Sequence, residues 1–134
     1  MKTYLLDTSA LLALRDDEAG ADEVAALLMQ AQQGNACCTG CFISLMEVLY
    51  RVWKDEDEPR ARLAYQQCLS LPMEWIHENP ALLEKAAEFK ARYPLSVADA
   101  WIAACAVLEG AVLVHKDPEF SVIHLEQRQL PFKG

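Results

Sequence analysis

Four carboxylic acids stand apart from the other acidic residues because each falls beside a predicted strand end or helix start. Asp7 comes directly after the first predicted strand, and Asp117 follows the strand that ends at Val114. Glu47 and Asp99 each come three residues after a serine, a residue typical of helix N-caps. In a parallel α/β sheet, strand carboxyl ends and helix amino ends lie along one edge, where ligands bind. The four acids are therefore predicted to converge at that edge.

Converging carboxylates point to a site for a hard divalent cation. They repel one another and raise each other's pKa unless a cation is present. Ligands that are all oxygen atoms suit Mg²⁺ or Mn²⁺ better than zinc. Such an ion lowers the pKa of a bound water and neutralises charge that develops on a phosphoryl group. The pattern therefore indicates metal-assisted phosphodiester hydrolysis, which needs no histidine or cysteine nucleophile.

Each of these acids also has a structural interpretation, and position alone leaves both interpretations open. Glu47 and Asp99 could be the reciprocal capping-box partners of the serines that precede them by three residues. Asp7 could cap the helix that begins behind it. Asp117 precedes a proline and could be an ordinary turn residue.

The elements that must position these acids alternate along the chain. Short apolar segments predict strands at residues 3–6, 36–39, 74–76 and 111–114, with a last edge strand at 130–132. Amphipathic segments between them predict helices, and the segment 100–108 is apolar on nearly every side, so it should be buried centrally. This alternation predicts an α/β layer fold with a largely parallel sheet. The absence of repeats and linkers predicts a single domain over residues 1–134.

Composition narrows the classes of function. The chain has 134 residues, of which 53% are hydrophobic and 24% charged, so it can bury a core and is neither disordered nor fibrous. Its formal net charge of −8 excludes a broad basic surface for nucleic acid. Any contact with nucleic acid must therefore be local.

The five cysteines predict reduced thiols in the cytoplasm, because their number is odd and the sequence shows no secretory leader. No apolar stretch approaches the length of a membrane span. Three of them crowd positions 37, 38 and 41 with no second pair at zinc-binding spacing. We therefore expect small buried apolar residues there and no zinc site.

Four segments, in the same order along the chain, resemble the motifs of PIN-domain nucleases. Residues 5–9 (LLDTS) resemble the opening motif, 43–50 (ISLMEVLY) the second, 95–104 (LSVADAWIAA) the third and 113–120 (LVHKDPEF) the closing one. The resemblance covers nearly the whole chain. The length is typical of VapC-type toxins from bacterial and archaeal toxin–antitoxin pairs.

The resemblance implies a single PIN-like domain, a three-layer sandwich with a mostly parallel central sheet flanked by helices. It also implies an endoribonuclease that depends on Mg²⁺ or Mn²⁺, cleaves RNA, is usually a homodimer and is silenced by a cognate antitoxin. Carried onto this sequence, the catalytic and metal-binding acids are Asp7, Glu47, Asp99 and Asp117.

Two further residues take supporting roles from the resemblance. Ser9 resembles a small polar residue that often supports the first acid, although it could simply belong to the first turn of a helix. Glu119 resembles a secondary acid that some members use, although it could be a solvated loop charge. His115 and Lys116 depart from the family, which often has threonine or serine and a small polar residue there. That departure leaves the substrate contacts of the closing loop open.

Three other classes compete with the nuclease. A PIN-like module that binds nucleic acid or protein without turnover would carry the same motifs. A phosphatase of the haloacid-dehalogenase type needs a second aspartate two residues after the first, and Ser9 occupies that place. A response-regulator receiver needs an acidic pair at the end of the first strand, and this chain offers Asp7 alone.

Overall fold

A five-stranded parallel sheet forms the centre of the molecule, which a computed structural model describes for residues 1–132. The strands are β1 (Thr3–Leu6), β2 (Cys37–Cys41), β3 (Glu74–Ile76), β4 (Val112–His115) and β5 (Gln127–Gln129). They lie in the order β3-β2-β1-β4-β5, and each of the four neighbouring pairs is parallel. The predicted α/β class with a mostly parallel sheet is confirmed.

Six α-helices connect and cover the strands of this sheet. They are α1 (Thr8–Arg15), α2 (Ala21–Gln32), α3 (Phe42–Asp55), α4 (Glu58–Ser70), α5 (Pro80–Arg92) and α6 (Val97–Leu108). A short 3₁₀ helix at Pro118–Val122 follows β4. None of the helices in residues 1–132 combines the length and the apolar character that crossing a membrane would require.

The helices pack on both faces of the sheet and create two apolar cores. Successive residues of a strand point to opposite faces. Leu5 and Leu113 accordingly pack in the cluster that contains α5 and α6, whereas Leu6 and Val114 pack in the cluster formed with α1 to α4. All four side chains are fully buried. This double burial explains why β1 and β4 are continuous apolar runs in the sequence.

Helix α6 is the buried central helix that its composition predicts. Ile102 and the four residues that follow it are at most 1% exposed. The prediction of small buried residues at positions 37, 38 and 41 is confirmed for Cys38 and Cys41 and wrong for Cys37, which is exposed at the start of β2.

The predicted start of α3 is wrong. Ser44 is not its N-cap: the helix begins at Phe42 and Cys41 takes the N-cap position. Strand β2 runs directly into α3 without a loop. Ser44 is consequently an interior helix residue with no solvent exposure, and Glu47 lies in the second helical turn.

The last strand lies three residues earlier than predicted, at Gln127–Gln129. As an edge strand it carries polar side chains and gives little apolar signal. The strand was predicted to begin at Leu130 because that residue is apolar. Leu130 is 1% exposed and packs in the core just beyond the strand, where its N–H donates to the carbonyl of His115.

Candidate metal centre

The carboxyl ends of β1 and β4 define the edge where the predicted acids lie. These strands are neighbours, with Leu6 opposite Val114, and the backbone N–H of Asp7 donates to the carbonyl of Val114 at 3.1 Å. Asp117 follows two residues after the end of β4. The strand order therefore brings the first and last of the four acids to adjoining positions, as the sequence predicts.

Three carboxylates form a compact cluster at this edge. Asp99, Asp117 and Glu119 each offer one oxygen atom, and these atoms lie within 4.8 Å of one another. Oxygen atoms on opposite sides of Mg²⁺ lie about 4.2 Å apart, since each Mg–O bond is about 2.1 Å. The cluster is thus close to the spacing that one shared ion requires, and it includes Glu119.

Asp7 and Glu47 are not among the three residues whose oxygen atoms meet this 4.8 Å spacing. Both are buried, with exposed fractions of 3% and 8%. The charges of Asp117 and Glu47 both act on the carboxyl of Asp7 and raise its pKa. The four predicted acids therefore share one electrostatic environment.

Asp7 caps α1, as its structural interpretation expects. Its Oδ1 accepts hydrogen bonds from the hydroxyl of Ser9 at 2.7 Å and from the backbone N–H of Ala10 at 2.8 Å. Both bonds fall on Oδ1, so the cap does not use Oδ2. The hydroxyl of Ser9 also accepts from the backbone N–H of Lys116 at 2.9 Å. Ser9 thus holds Asp7 and ties the closing loop to α1.

Glu47 is held by a buried hydroxyl network that sequence reasoning missed. The hydroxyl of Thr8 donates to Glu47 Oε1 at 2.6 Å and is hydrogen-bonded to the hydroxyl of Ser44 at 2.9 Å. Arg51, one turn further along α3, donates to Glu47 Oε2 at 3.4 Å. The three-residue spacing of Ser44 and Glu47 therefore reflects a shared helix face, which is the signal that resembles a capping box.

Asp99 sits in a capping box whose second half comes from another segment. The hydroxyl of Ser96 accepts from the backbone N–H of Asp99 at 3.1 Å, so the predicted cap of α6 is confirmed. The backbone N–H of Ser96, however, donates to Glu119 Oε1. Glu119 takes the place that the sequence assigns to Asp99, and the carboxylate of Asp99 is turned into the acidic cluster.

Burial and neighbouring negative charge raise the pKa values of two of the acids. Burial raises the pKa of Asp7 to about 7, although its hydrogen bonds from Ser9 and Ala10 oppose the shift. Burial also raises the pKa of Asp99 to about 8, and contacts with Asp117 and Glu119 add to the effect. Carboxyl groups with such values are partly protonated at neutral pH, and a bound cation would favour their charged form. The donor set therefore fits a divalent metal ion.

Comparison with known proteins agrees with this arrangement. A profile described as the PIN domain matches residues 4–124. The chain belongs to the PIN domain family. No curated protein sequence matches it.

Solved structures share the fold of this PIN domain across nearly its full length. The complex described as VapBC2 from Rickettsia felis bound to a DNA fragment from the promoter gives a TM-score of 0.78 at 22% identity, covering 96% of this chain and 99% of that one. DNA-bound VapBC from Salmonella typhimurium gives 0.77 at 18% identity, covering 96% and 98%. VapC20 from Mycobacterium tuberculosis, described as a sarcin–ricin loop cleaving toxin, gives 0.74 at 20% identity, covering 96% and 99%.

The closing loop of this PIN domain is organised by His115, one of the residues that depart from the family pattern. His115 is 2% exposed and faces the protein interior. Its Nδ1 accepts from the backbone N–H of Asp117 at 3.0 Å, and its Nε2 lies 2.9 Å from Gln127 Oε1. The amide group of Gln127 donates to the carbonyls of Phe120 and Ile123. The imidazole therefore links the backbone of Asp117 to β5.

We expect the imidazole of His115 to have a pKa below 6.5 and, in its neutral form, to carry its proton on Nε2. Burial lowers its pKa, and Nδ1 must keep a lone pair to accept from Asp117. Imidazole ¹⁵N chemical shifts measured across a pH titration check this expectation. An ordinary titration of His115 near pH 6.5, or a proton on Nδ1, would contradict the network.

Proposed function

We propose that this PIN domain is a divalent-metal-dependent endoribonuclease that hydrolyses phosphodiester bonds of RNA. The observation that supports it best is the cluster of Asp99, Asp117 and Glu119 oxygens within 4.8 Å of one another, beside the buried Asp7 and Glu47. The proposed catalytic and metal-binding acids are Asp7, Glu47, Asp99 and Asp117. Ser9 and Glu119 support them.

The residues of the chain would hold the ion and fix its ligands. A bound Mg²⁺ or Mn²⁺ would lower the pKa of a coordinated water and neutralise charge that develops on the phosphoryl group. Hydrogen bonds from Ser9 and Ala10 orient Asp7, and the hydroxyl of Thr8 orients Glu47. Ligands fixed in this way need little rearrangement when the ion binds.

We further propose that the enzyme is the toxin of a type II toxin–antitoxin pair, a single domain over residues 1–134 that works in the cytoplasm as a homodimer. Support comes from its family and from the fold it shares with VapBC complexes and with a toxin described as cleaving the sarcin–ricin loop. A cognate antitoxin would then be its protein partner and RNA its substrate.

A gel assay with a short RNA tests the nuclease directly. We expect cleavage with Mn²⁺ or Mg²⁺ and none after EDTA is added in excess, because the ion is needed to compensate the carboxylates and activate the water. The matched control is Asp117→Asn, which preserves size and removes one proposed ligand. Cleavage that persists in EDTA would exclude the metal mechanism. Binding of RNA with no cleavage in Mn²⁺ would favour a PIN domain that binds without turnover.

A further inference from the structure

A single arginine contacts the acidic site. Arg51 Nη2 lies 3.4 Å from Glu47 Oε2, and this is the one ion pair between a basic residue and the site acids in the described part of the chain. The side chain of Arg51 is 43% exposed, whereas that of Glu47 is 10% exposed. Arg51 therefore extends from a buried carboxylate into the solvent.

The charge of Arg51 is secured by its surroundings. Partial burial opposes the charge, but Tyr50, Glu47 and Asp7 outweigh this and raise the pKa of the guanidinium above its ordinary value. The guanidinium is held 3.4 Å from the carboxylate of Glu47. A planar fork of N–H donors at that position matches the geometry of a phosphate group.

The nearest basic residue of the closing loop already has another role. Lys116 Nζ donates to the carbonyl of Ala19 at 2.8 Å, lies 3.9 Å from Glu18 and is only 12% exposed. Lys116 thus anchors the turn between α1 and α2. In a chain with a net charge of −8, contacts with RNA phosphates must be local, and Arg51 is placed to make one.

We propose that Arg51 binds a backbone phosphate of the RNA substrate. In the metal-free protein its guanidinium pairs with Glu47, and a divalent cation that takes over the charge of Glu47 releases it for the phosphate. This inference rests on the proposed nuclease function. In this acidic protein, the positive charge of Arg51 would then be available to the RNA only when a divalent ion occupies the site.

The competing interpretation is that Arg51 serves only as a counter-ion that keeps Glu47 charged. Both interpretations predict that Arg51→Gln binds Mn²⁺ more tightly, because a competing positive charge is removed. Only phosphate binding predicts that the same variant binds RNA more weakly. Opposite changes in the two affinities therefore identify the proposed role.

The experiment measures both affinities on the full chain. Mn²⁺ binding is followed by electron paramagnetic resonance, and binding of a short fluorescein-labelled single-stranded RNA is followed by anisotropy in Ca²⁺, with a gel to check that the RNA stays intact. We expect Arg51→Gln to lose about tenfold in RNA affinity, the scale of one charge-assisted hydrogen bond. The slope of log affinity against log salt should fall by about 0.7, since one phosphate contact is lost.

Two variants complete the design. Arg62→Gln removes the same charge from α4, where Arg62 pairs with Glu58 and lies over the ring of Trp53, so RNA affinity should be unchanged. Arg51→Lys keeps the charge but loses the fork, so the salt slope should stay and part of the affinity should be lost. If Arg51→Gln does not fold, Arg51→Lys replaces it as the variant in which RNA affinity is measured.

Several results would overturn the inference. Equal RNA affinities for Arg51→Gln, Arg62→Gln and the wild type would do so, as would tighter Mn²⁺ binding without a change in RNA binding. If the wild type neither binds nor cleaves RNA, the nuclease function itself fails. If the wild type cleaves RNA but Arg51→Gln binds RNA as well as the wild type does, the role of Arg51 is refuted and the nuclease function stands.

Discussion

Asp99→Asn is expected to abolish metal-dependent RNA cleavage while leaving the metal-free protein at least as stable as the wild type. Asp99 shares the acidic cluster with Asp117 and Glu119, and its raised pKa shows that the charged form is disfavoured without a cation. Loss of a partner behind a metal ligand already costs about 10–100-fold in affinity or activity. Loss of the ligand itself should therefore reduce the cleavage rate by more than about 100-fold.

Stability is the decisive second measurement for Asp99→Asn. The backbone N–H of Ser96 is bonded by Glu119, so the side chain at position 99 is not needed for the cap of α6. Asparagine removes a repulsive charge, and urea denaturation in EDTA at pH 8 should show an equal or higher free energy of unfolding.

Asn79→Ala provides the matched control for loss of a helix cap. Asn79 Oδ1 accepts from the backbone N–H of Leu82 at the start of α5, and Asn79 is not one of the proposed site residues. This variant should lose about 1 kcal/mol of stability and keep its cleavage activity. If Asp99→Asn behaved in the same way, its carboxylate would be a structural cap and the proposed metal centre would lack a ligand.

In EDTA, the free energy of unfolding should fall as the pH rises from above 4 towards 8. In the folded protein the pKa of Asp7 is about 7 and that of Asp99 is about 8, whereas the ordinary value for both, which applies to the unfolded chain, is 3.8. Between these limits the folded state holds protons that the unfolded state has released, so stability decreases with pH and levels off above the folded pKa. For the buried Asp7 the limiting slope is about 1.4 kcal/mol per pH unit.

Metal and the variant Asp7→Asn should each reduce this pH dependence. Mg²⁺ or Mn²⁺ binds the ionised carboxylates of the folded state and adds about 2.7 kcal/mol at a concentration 100 times the Kd. Asparagine at position 7 can still accept from Ala10 as a cap but does not titrate. Thermal melts at several pH values, with EDTA and with metal, measure both effects. A slope that is the same for the wild type and Asp7→Asn would show that Asp7 ionises normally.

The architecture was predictable because the sheet is buried on both faces. Strands β1 and β4 are continuous apolar runs, and the alternation of such runs with amphipathic helices leads to a parallel α/β sheet. The edge strand β5 was misplaced since Gln127–Gln129 offers no apolar pattern. A strand that is buried on both faces needs apolar residues, which are visible in the sequence. Pairing of an edge strand depends on backbone hydrogen bonds, which nearly any residue can make.

The convergence of the acids at the strand ends was also predictable, but their roles were not. A serine followed three residues later by an acid looks the same whether it caps a helix or shares a helix face. Ser96 is a cap, whereas Ser44 lies inside α3 and binds the hydroxyl of Thr8. Ser44 differs from Ser96 because α3 begins at Phe42, directly after β2, so that Ser44 already lies inside the helix. The types of the residues around Ser44 do not reveal this start.

Contacts between distant segments could not be read from the sequence. Glu119 completes the cap of Ser96 from 23 residues away, and His115 turns inward to meet Gln127, 12 residues further along the chain. In the sequence, both residues lie beyond the predicted strand 111–114 and look like ordinary loop residues. Their partners become visible only when the closing loop is folded against α6 and β5.

The direct passage from β2 into α3 gives the site an unusual sensitivity to chain length. Cys41 ends the strand and Phe42 begins the helix, so no connecting segment can absorb an added residue before Glu47. One insertion there would rotate Glu47 by about 100° around the helix axis and point it away from Thr8. Insertions in the turn between α3 and α4, beyond Arg51, would leave the acid in place. Natural variation in the length of such chains should therefore accumulate at that turn and be rare at the strand–helix junction.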